Sequence, residues 1–283
     1  MPPLQTLLAG GRSVLCPGVY DALTASLAEA AGFQAVYLSG AQVAYTKLGR
    51  PDIGLVSMTE MADTLAHIRE RIALPIVIDG DTGFGNAIGA QRTIRVFERA
   101  GADAVQIEDQ AFPKRCGHLR DKVLISGREM AGKIRACVDA RDKTLIIART
   151  DAIAVEGFEA ACARAELYLE AGADVLFIEA PETEEQLAAI PARFAGRVAL
   201  MANMIEGGRT PMHDAGQLAR LGYQIVIFPG ALVRSLTFAA REFFATLHRD
   251  GTTAAFRNRM YDFNGLNELL GTDAILAEAR RYD

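Results

Sequence analysis

The chain has 283 residues, of which 50% are hydrophobic and 23% are charged, and its formal net charge is -5. This composition supports a sizeable buried core, and the absence of a basic block argues against a nucleic-acid partner. No apolar stretch approaches the roughly 20 residues that span a bilayer, and the N-terminus lacks the pattern of a secretory signal. The 4 cysteines fit neither a disulfide framework nor a zinc site, so we expect a reduced, cytoplasmic protein with no membrane partner.

Short β-rich runs alternate along the chain with longer amphipathic runs that are typical of helices. The predicted strands lie at 13–16, 35–38, 75–79, 104–107, 144–148, 174–178, 198–201 and 224–228. The helices predicted after them lie at 20–31, 59–72, 89–100, 127–140, 158–171, 184–194, 214–221 and 231–247. The strand runs are almost continuously apolar, as in parallel strands that are buried on both faces.

This alternation predicts an α/β fold, a closed (β/α)8 barrel of the TIM type. The alternative is an open doubly wound sheet, which usually has a glycine-rich phosphate loop after its first strand, and the segment 16–20 is not such a loop. We expect a single barrel domain over 1–283, in which 250–283 form a C-terminal helical extension.

Catalytic side chains of such barrels lie at the C-terminal ends of the strands. In this sequence the strand ends carry the residues Tyr37, Ser39, Gly40, Asp79, Asp81, Glu108, Asp109, Arg149, Asp151, Glu179 and Asn203. Because all the strands of a parallel barrel end at the same mouth, we expect these groups to form one polar ring.

The acidic residues Asp79, Asp81 and Glu108 are the most specific part of this ring. Asp79 and Asp81 point to the same side if the strand continues through both. Carboxylates that are brought together repel unless a cation is present, and oxygen ligands without histidine favour Mg²⁺ or Mn²⁺. The Asp-Gly-Asp sequence alone is also typical of turns and helix caps. Together with Glu108 on the next strand, it predicts a metal site.

Two further strand ends are suited to binding a carboxylate. Arg149 has the geometry for bidentate binding, although a structural ion pair with Asp151 or Glu179 is the alternative. Ser39 and Gly40 offer backbone N–H groups to an anion, but the same residues also fit a plain turn.

The connection at 111–126 is long for a βα loop, which is typical of an active-site lid. Its central part reads Lys114-Arg115-Cys116-Gly117-His118. Basic neighbours and a nearby histidine lower a thiol pKa and suit Cys116 to proton transfer or nucleophilic attack. An exposed basic loop with an incidental cysteine fits the spacing equally well. Cys137 and Cys162 fall within predicted helices, where we expect small core residues.

The loop around Cys116 resembles the signature loop of the isocitrate lyase/phosphoenolpyruvate mutase superfamily. More narrowly, it is similar to the loop of the short-chain lyases, the branch of methylisocitrate lyase, 2,3-dimethylmalate lyase and the petal death protein. The segments that support the resemblance are 17–22, 37–40, 48–52, 79–85, 107–110, 148–151 and 202–208, which are spread over nearly the whole chain.

The resemblance implies a carbon–carbon lyase that depends on Mg²⁺, with Mn²⁺ as the alternative ion. Its substrate would be a 2-hydroxy di- or tricarboxylate of the 2-alkylmalate or methylisocitrate type, cleaved to pyruvate and a second carboxylic acid. The resemblance also implies a homotetramer in which the last barrel helix is exchanged between subunits.

The same resemblance implies roles for individual residues. The catalytic candidates are Cys116 as the general acid, with Tyr37, Lys114, His118 and Glu179 in the pocket. The substrate-binding candidates are Ser39, Gly40, Gly117, Arg149 and Asn203. The metal candidates are Asp79 as a direct ligand and Asp52, Asp81 and Glu108 as residues that hold water on the ion.

Departures from the family pattern bear on the substrate. Methylisocitrate lyases carry a glycine run after the serine of the second strand, whereas Gly40 is followed here by Ala41 and Gln42. The segment 203–208 is closer to the 2-alkylmalate lyases, which favours a substituted malate. The alternatives on the same scaffold are a carboxyphosphonoenolpyruvate-type phosphonomutase and an oxaloacetate hydrolase or decarboxylase. A non-catalytic binding protein would not need the acid and metal residues, which are all present.

Overall fold

Eight parallel strands form the centre of the computed structural model, which describes residues 2–10, 13–117, 121–194 and 196–283. The strands are β1 (Val14–Val19), β2 (Val36–Leu38), β3 (Ile76–Asp79), β4 (Ala104–Glu108), β5 (Leu145–Thr150), β6 (Val175–Ile178), β7 (Ala199–Asn203) and β8 (Ile225–Phe228). Each strand pairs with the next in the chain, and β8 pairs with β1. The predicted closed (β/α)8 barrel is therefore confirmed, and the open sheet is excluded.

Helices follow the strands at every predicted position. The helices are α1 (Leu4–Ala9), α2 (Ala22–Ala30), α3 (Gly40–Val43), α4 (Met58–Arg71), α5 (Ala87–Ala100), α6 (Gly127–Ala140), α7 (Ile153–Glu156), α8 (Phe158–Glu170), α9 (Glu184–Phe194), α10 (Ala215–Leu221), α11 (Ala231–Asp250), α12 (Phe263–Leu270) and α13 (Thr272–Ala279). A π-helical segment, Ala44–Leu48, continues α3, and a 3₁₀ helix, Ala254–Arg259, precedes α12. The helices α1, α3 and α7 were not predicted, because so few residues do not establish a helical period.

Local sequence signals explain where the helices begin and end. Ser57 precedes α4 and accepts a hydrogen bond from the Glu60 backbone N–H, while the Glu60 carboxylate accepts one from the Ser57 backbone N–H at 2.8 Å. This reciprocal pair satisfies N–H groups that the first helical turn leaves without partners. Gly101 ends α5 with a φ of 103°, a left-handed conformation that glycine adopts without a steric penalty.

The core consists of an inner and an outer layer of apolar side chains. The interior of the barrel contains Leu4, Val14, Cys16, Tyr37, Val77, Ile147, Phe177 and Ile225. The larger outer layer lies between the strands and the helices. Because side chains alternate along a strand, Tyr37 of β2 lies in the inner layer and its neighbour Leu38 in the outer one.

The chain divides into two compact units, Met1–Val233 and Arg234–Asp283. Within the second unit the ring of Phe243 packs edge-on against Phe256 at 5.3 Å, and Arg259 pairs with Glu242 at 2.9 Å. The predicted domain organisation, a single barrel with an extension from residue 250, stays a prediction. In the described part of the chain, no helix has both the length and the hydropathy needed to cross a membrane.

A buried polar network ties the ends of β4 and β5 to α8. The Asp109 carboxylate accepts hydrogen bonds from Thr150 Oγ1 at 2.7 Å, Tyr168 OH at 2.7 Å and the Asp151 backbone N–H at 3.0 Å. Arg164 Nη1 adds a charged donor at 3.3 Å. Since several buried donors converge on one carboxylate, this network holds the strand ends in register at the mouth of the barrel.

Substitution of Asp109 by alanine is expected to lower the free energy of unfolding by about 3 kcal/mol, because it leaves buried donors and the Arg164 charge without their shared acceptor. Urea denaturation of both proteins measures the difference. The matched control is Asp142→Ala on an exposed side chain, which should change the stability by less than about 0.5 kcal/mol. Equal losses in the two variants would contradict the role of the network.

Candidate active site

A small cavity of about 50 Å³ opens at the C-terminal ends of the strands. The predicted site residues that line it are Tyr37, Ser39, Asp52, Asp79, Lys114, Cys116, Gly117, Arg149, Glu179 and Asn203. The lining residues that were not predicted are Ala41, Arg115, Ile205, Ile227 and Pro229. The polar ring expected from the strand ends is therefore present at one mouth. His118 lies outside the described residues.

Gly40, Asp81 and Glu108 lie beside the cavity and not in its wall. A Cβ atom built on Gly40 would lie 3.3 Å from Asp79 Oδ2 and 3.6 Å from Asp81 Oδ1, so the missing side chain lets both carboxylates approach this turn. The turn itself is the start of α3, because Ser39 Oγ accepts a hydrogen bond from the Gln42 backbone N–H at 3.4 Å. The plain turn considered for this segment is thus a short helix.

A turn, and not the continuation of a strand, brings together the two aspartates of the Asp-Gly-Asp sequence. Strand β3 ends at Asp79, and Asp81 has a φ of 46°, so the strand does not continue through both residues as assumed. Instead the chain turns, and the Asp81 backbone N–H donates to Asp79 Oδ1 at 3.1 Å. The turn brings both side chains to Gly40, which is the same side of the barrel mouth.

Lys114 is the cation closest to this acidic group. Its ammonium nitrogen lies 2.5 Å from Asp52 Oδ1 and 2.7 Å from Asp81 Oδ1, and the side chain is buried. Burial lowers the pKa of Lys114, but the surrounding carboxylates, Asp81 and Asp52 first, raise it well above its ordinary value. Burial also raises the pKa of Asp81 to about 7, against the opposing charge of Lys114 and with a further rise from Asp79.

Among these carboxylates, Glu108 has the least compensation of its charge by hydrogen-bond donors and nearby cations. It is 1% exposed, and its Oε1 atom has no hydrogen-bond partner among the residues that the structure describes. Its Oε2 atom lies 3.4 Å from Arg149 Nε. Burial raises the pKa of Glu108 well above its ordinary value, although Arg149 opposes the rise. A buried carboxylate oxygen without a partner is suited to a cation or to a water molecule bound to one.

The geometry limits how the candidate residues could hold a metal. Across residues 2–10, 13–117, 121–194 and 196–283, no group of three His, Cys, Asp or Glu side chains lies close enough to ligate one ion directly. Mg²⁺ usually keeps several water molecules and takes only one or two carboxylates as ligands. The carboxylates Asp52, Asp79, Asp81 and Glu108 therefore fit a hydrated Mg²⁺ ion by the type of their oxygen ligands, and they are the residues that would hold it.

Arg149 forms the ion pair with Asp151 that the sequence left open. Its Nε and Nη2 atoms donate to the Asp151 carboxylate at 2.9 and 3.0 Å. Although burial raises the pKa of Asp151, Arg149 and Lys122 outweigh it and lower the value to about 2. No direct ion pair between Arg149 and Glu179 is present in the described residues. Because a guanidinium has five N–H donors, Arg149 retains donors for a carboxylate in the cavity that it lines.

Three hydrogen-bonded pairs orient further polar residues at the mouth. Tyr37 OH donates to Gln106 Oε1 at 3.0 Å, and Gln106 Nε2 donates to Asp79 Oδ1 at 3.2 Å. Burial raises the pKa of Tyr37 well above its ordinary value, so the phenol keeps its proton. Asn203 Nδ2 donates to both carboxylate oxygens of Glu179, at 3.1 and 3.2 Å. These pairs fix side chains from five of the strands around the cavity.

Cys116 lies in the cavity wall and is half-buried. Its loop is held in shape by Gln110, whose side chain donates to the Arg115 carbonyl at 2.7 Å and accepts from the Arg115 backbone N–H at 2.9 Å. This position favours the active-site lid over an exposed loop with an incidental cysteine. The predicted core cysteines, Cys137 and Cys162, are buried, and burial raises the pKa of Cys137 to about 12.

Sequence reasoning missed the apolar part of the cavity and one charged residue beside it. Ile205, Ile227 and Pro229 follow or end β7 and β8, but only polar strand ends were considered as candidates. Their position after predicted strands was a usable signal. Lys122 is buried and donates to Asp151 Oδ1 at 3.0 Å, which no pattern in the loop sequence indicates.

The model of the family described as phosphoenolpyruvate phosphomutase matches residues 4–248. The chain belongs to the isocitrate lyase/phosphoenolpyruvate mutase superfamily. It is 41% identical over 281 residues to the 2,3-dimethylmalate lyase of Eubacterium barkeri, a match that covers 99% of this chain and 96% of the relative. It is 44% identical over 270 residues to a 2-methylisocitrate lyase of Aeropyrum pernix, covering 95% of this chain and 86% of the relative.

Solved structures support the same assignment. A crystal structure of 2,3-dimethylmalate lyase matches with a TM-score of 0.93 and 34% identity, covering 98% of this chain and 93% of that chain. A complex of phosphonopyruvate hydrolase with oxalate and Mg²⁺ matches with a TM-score of 0.88 and 31% identity, covering 99% and 97% of the two chains. The chain is an enzyme of this superfamily, a carbon–carbon lyase.

The raised pKa of Asp81 predicts a pH-dependent effect of Asp81→Asn. The folded state favours the protonated acid, so the stability that Asp81 contributes is present below its ordinary pKa of 3.8 and is lost as the pH rises through about 7. An asparagine does not ionise, so the variant should gain stability relative to the wild type between pH 5 and pH 8.

Urea denaturation in EDTA at the two pH values measures this difference in the free energy of unfolding. Asp142→Asn, on an exposed side chain, is the control and should show no such change. A stability difference for Asp81→Asn that does not vary with pH would contradict the burial argument.

Proposed function

We propose that the chain is a Mg²⁺-dependent lyase that cleaves a 2-hydroxy dicarboxylate of the 2-alkylmalate type to pyruvate and a second carboxylic acid. The observation that carries the proposal is the position of Cys116, which lines the same cavity as Asp79 and Arg149. A proton donor, a metal-binding carboxylate and a carboxylate-binding cation are the groups that this cleavage requires. A tricarboxylate of the methylisocitrate type is the alternative substrate.

Arg149 and the backbone N–H of Gly40, at the start of α3, would bind the carboxylate of the pyruvate half. The Ser39 N–H already donates to the Val19 carbonyl oxygen at 3.3 Å, so Ser39 would contribute through its position in the cavity wall. Asp79 would ligate Mg²⁺, and Asp52, Asp81 and Glu108 would hold water molecules on it. When bound, Mg²⁺ acts as a Lewis acid that lowers the pKa of the substrate hydroxyl group. The unpartnered Oε1 atom of Glu108 supports this assignment, as does the Mg²⁺ in the related phosphonopyruvate hydrolase complex.

Bond cleavage follows from the charge that develops on the substrate. The hydroxyl group gives its proton to one of the carboxylates beside the cavity, the C2–C3 bond breaks, and C2 becomes the ketone carbon of pyruvate. The electron pair of the broken bond remains on C3 as the enolate of the second acid. The Cys116 thiol donates a proton to C3, and the closed loop keeps bulk water away until this transfer is complete. Tyr37, which keeps its proton, holds Gln106 and through it Asp79.

The apolar wall favours a malate with alkyl substituents. Ile205, Ile227 and Pro229 line one part of the cavity and offer an apolar surface to a group on C3. The two buried cations that line the cavity, Lys114 and Arg149, already pair with carboxylates of the protein. Apart from the exposed Arg115, a third carboxylate of the substrate would meet no further cation among the described residues of the cavity wall, and burial of unpaired charge is unfavourable.

A homotetramer with an exchanged helix is part of the same proposal. Large apolar side chains of the second unit are exposed, among them Phe238 at 75%, Phe263 at 83% and Ile275 at 64%. Burying them in a subunit interface would remove apolar surface from water. Light scattering after size exclusion measures the assembly. The cytoplasmic location expected from the sequence stays a prediction.

The proposed reaction predicts pyruvate release that requires Mg²⁺ and Cys116. The assay couples release to lactate dehydrogenase and tests 2,3-dimethylmalate, other alkylmalates, methylisocitrate, oxaloacetate and a phosphonate, each with Mg²⁺ and with EDTA. Cys116→Ser should lower kcat at least about 100-fold, because it removes the proton donor. Cys137→Ala, at a buried cysteine away from the cavity, is the control and should retain activity.

Release from alkylmalates alone would establish the substituted-malate activity, and release from methylisocitrate would select the tricarboxylate. Turnover of only the phosphonate, followed by phosphorus NMR, or of only oxaloacetate, followed by its disappearance and the release of oxalate, would replace the proposal by a mutase or a hydrolase, since neither reaction need release pyruvate. No turnover of any compound by folded protein with Mg²⁺ would overturn the lyase.

The metal assignment predicts that Asp79→Asn weakens Mn²⁺ binding at least tenfold, since even residues that only support metal ligands change the affinity by about 10- to 100-fold. Isothermal titration, or the electron paramagnetic resonance signal of free Mn²⁺, measures the affinity without any substrate. Asp142→Asn should bind as the wild type does. Unchanged affinity in Asp79→Asn would show that the ion binds elsewhere.

A further inference from the structure

The tip of the Cys116 loop rests directly on the barrel through Gly117. A Cβ atom built on Gly117 would lie 3.0 Å or less from Arg149 Nη2, Glu179 Cγ and Asp151 Oδ1. No side chain fits there unless the loop or the barrel residues shift. The residue next to the proposed proton donor is therefore packed against the ends of β5 and β6, and the position of Cys116 depends on this contact.

Lys122 contacts both the loop and the barrel at the place where Gly117 packs against the strand ends. Its ammonium group donates to the Gly117 carbonyl oxygen on the loop side and to Asp151 Oδ1 at 3.0 Å on the barrel side. The side chain is 1% exposed, so these bonds are protected from water. Lys122 does not line the cavity and thus does not contact the substrate.

The charges around Lys122 favour a cation at this position. Arg149 is shared by two buried carboxylates, since it bonds to Asp151 and lies 3.4 Å from Glu108. One guanidinium facing two carboxylates leaves a negative excess beside the Gly117 carbonyl oxygen, which is itself a negative pole. The ammonium group of Lys122 offsets this excess, so the docked position of Gly117 becomes electrostatically favourable.

The other limb of the loop has separate anchors. Lys114 pairs with Asp52 and Asp81, and Gln110 makes two hydrogen bonds to Arg115. These contacts lie before Cys116 in the chain. Loss of Lys122 would therefore weaken the attachment of Gly117 to the barrel and leave the contacts of the other limb in place.

We propose that Lys122 is a positioning residue, which places the Cys116 thiol in the cavity by bridging the Gly117 carbonyl and the Asp151 carboxylate. It acts through the loop and not on the substrate. The position of the thiol can be measured without turnover, so this part is independent of the proposed function. Only the effect on catalysis rests on the lyase activity.

The first experiment measures alkylation of Cys116 by iodoacetamide in EDTA without substrate, followed by peptide mass spectrometry. Lys122→Met should raise the rate about tenfold, because the loss of a charge-assisted bridge shifts the loop away from its docked position. Lys122→Arg should restore most of the protection. Lys143→Met, at an exposed lysine outside the cavity, should match the wild type. Loss of a nearby cation would by itself slow thiolate alkylation, so a faster rate reports exposure.

Folding is checked within the same experiment, because Cys16, Cys137 and Cys162 are buried and should stay unreactive. Asp151 keeps both hydrogen bonds from Arg149 in Lys122→Met, so we expect this variant to fold. If all four cysteines react, the milder Lys122→Gln, which keeps a donor without the charge, replaces it and should also expose Cys116. Unchanged Cys116 alkylation in a folded Lys122 variant would overturn the proposal.

The second experiment uses the substrate found in the pyruvate assay. For Lys122→Met, kcat should fall about tenfold or more while KM changes less than about threefold, since the residue acts on proton transfer and not on substrate contacts. Recovery in Lys122→Arg supports the bridge. If the wild type releases no pyruvate but the alkylation pattern holds, the lyase function fails and the positioning role stands. A normal kcat in a variant with exposed Cys116 would overturn the catalytic importance of the bridge.

Discussion

The buried charges at the mouth of the barrel are the constraint on which the rest of the structure depends. Asp52, Asp79, Asp81 and Glu108 are all withdrawn from water at this mouth. Burial disfavours the ionised forms of Asp81 and Glu108 unless cations compensate for it. Lys114 supplies one charge between Asp52 and Asp81, and Arg149 supplies another near Glu108. The compensation is incomplete, as the raised pKa values of Asp81 and Glu108 and the unpartnered Oε1 atom of Glu108 show. A site with surplus buried negative charge favours a divalent cation, which is why the metal assignment follows from electrostatics as well as from ligand type.

The barrel can hold this charge because its parallel strands all end at the same mouth and because its framework there is rigid. The Asp109 network joins β4, β5 and α8 by hydrogen bonds from both backbone and side chains. Tyr37 and Gln106 orient Asp79 from β2 and β4, the two strands that flank β3. Side chains held in this way cannot rotate freely to relieve their mutual repulsion. The repulsion between these like charges therefore persists and favours the binding of a cation. The polar groups that would bind a substrate are already oriented.

Charge balance and loop position are coupled in this molecule. Lys114 belongs to the loop but neutralises carboxylates of the barrel, and Lys122 does the same for Asp151 from the other end of the loop. When the loop docks, it brings two ammonium groups to the mouth together with Cys116. The contacts that complete the electrostatics of the site are therefore also contacts that position Cys116, the proposed proton donor. Gly117 permits this close approach because a side chain at that position would collide with Arg149 and Glu179.

The sequence by itself determined the barrel and the composition of its polar ring. Apolar runs such as 175–178 are typical of buried strands, and their regular alternation with periodic helices favours a parallel barrel, in which both faces of the strands are covered. Since strand ends of a barrel converge, Asp79, Glu108 and Arg149 could be placed at one mouth before any contact was known. Only the tertiary structure decided how these charges are shared. Whether Arg149 binds Asp151, or Lys114 binds Asp81, depends on distances of a few ångströms between residues far apart in the chain. Lys122 shows the reason most clearly, because its role comes from burial against Gly117 and Asp151, and burial is a property of the packed molecule.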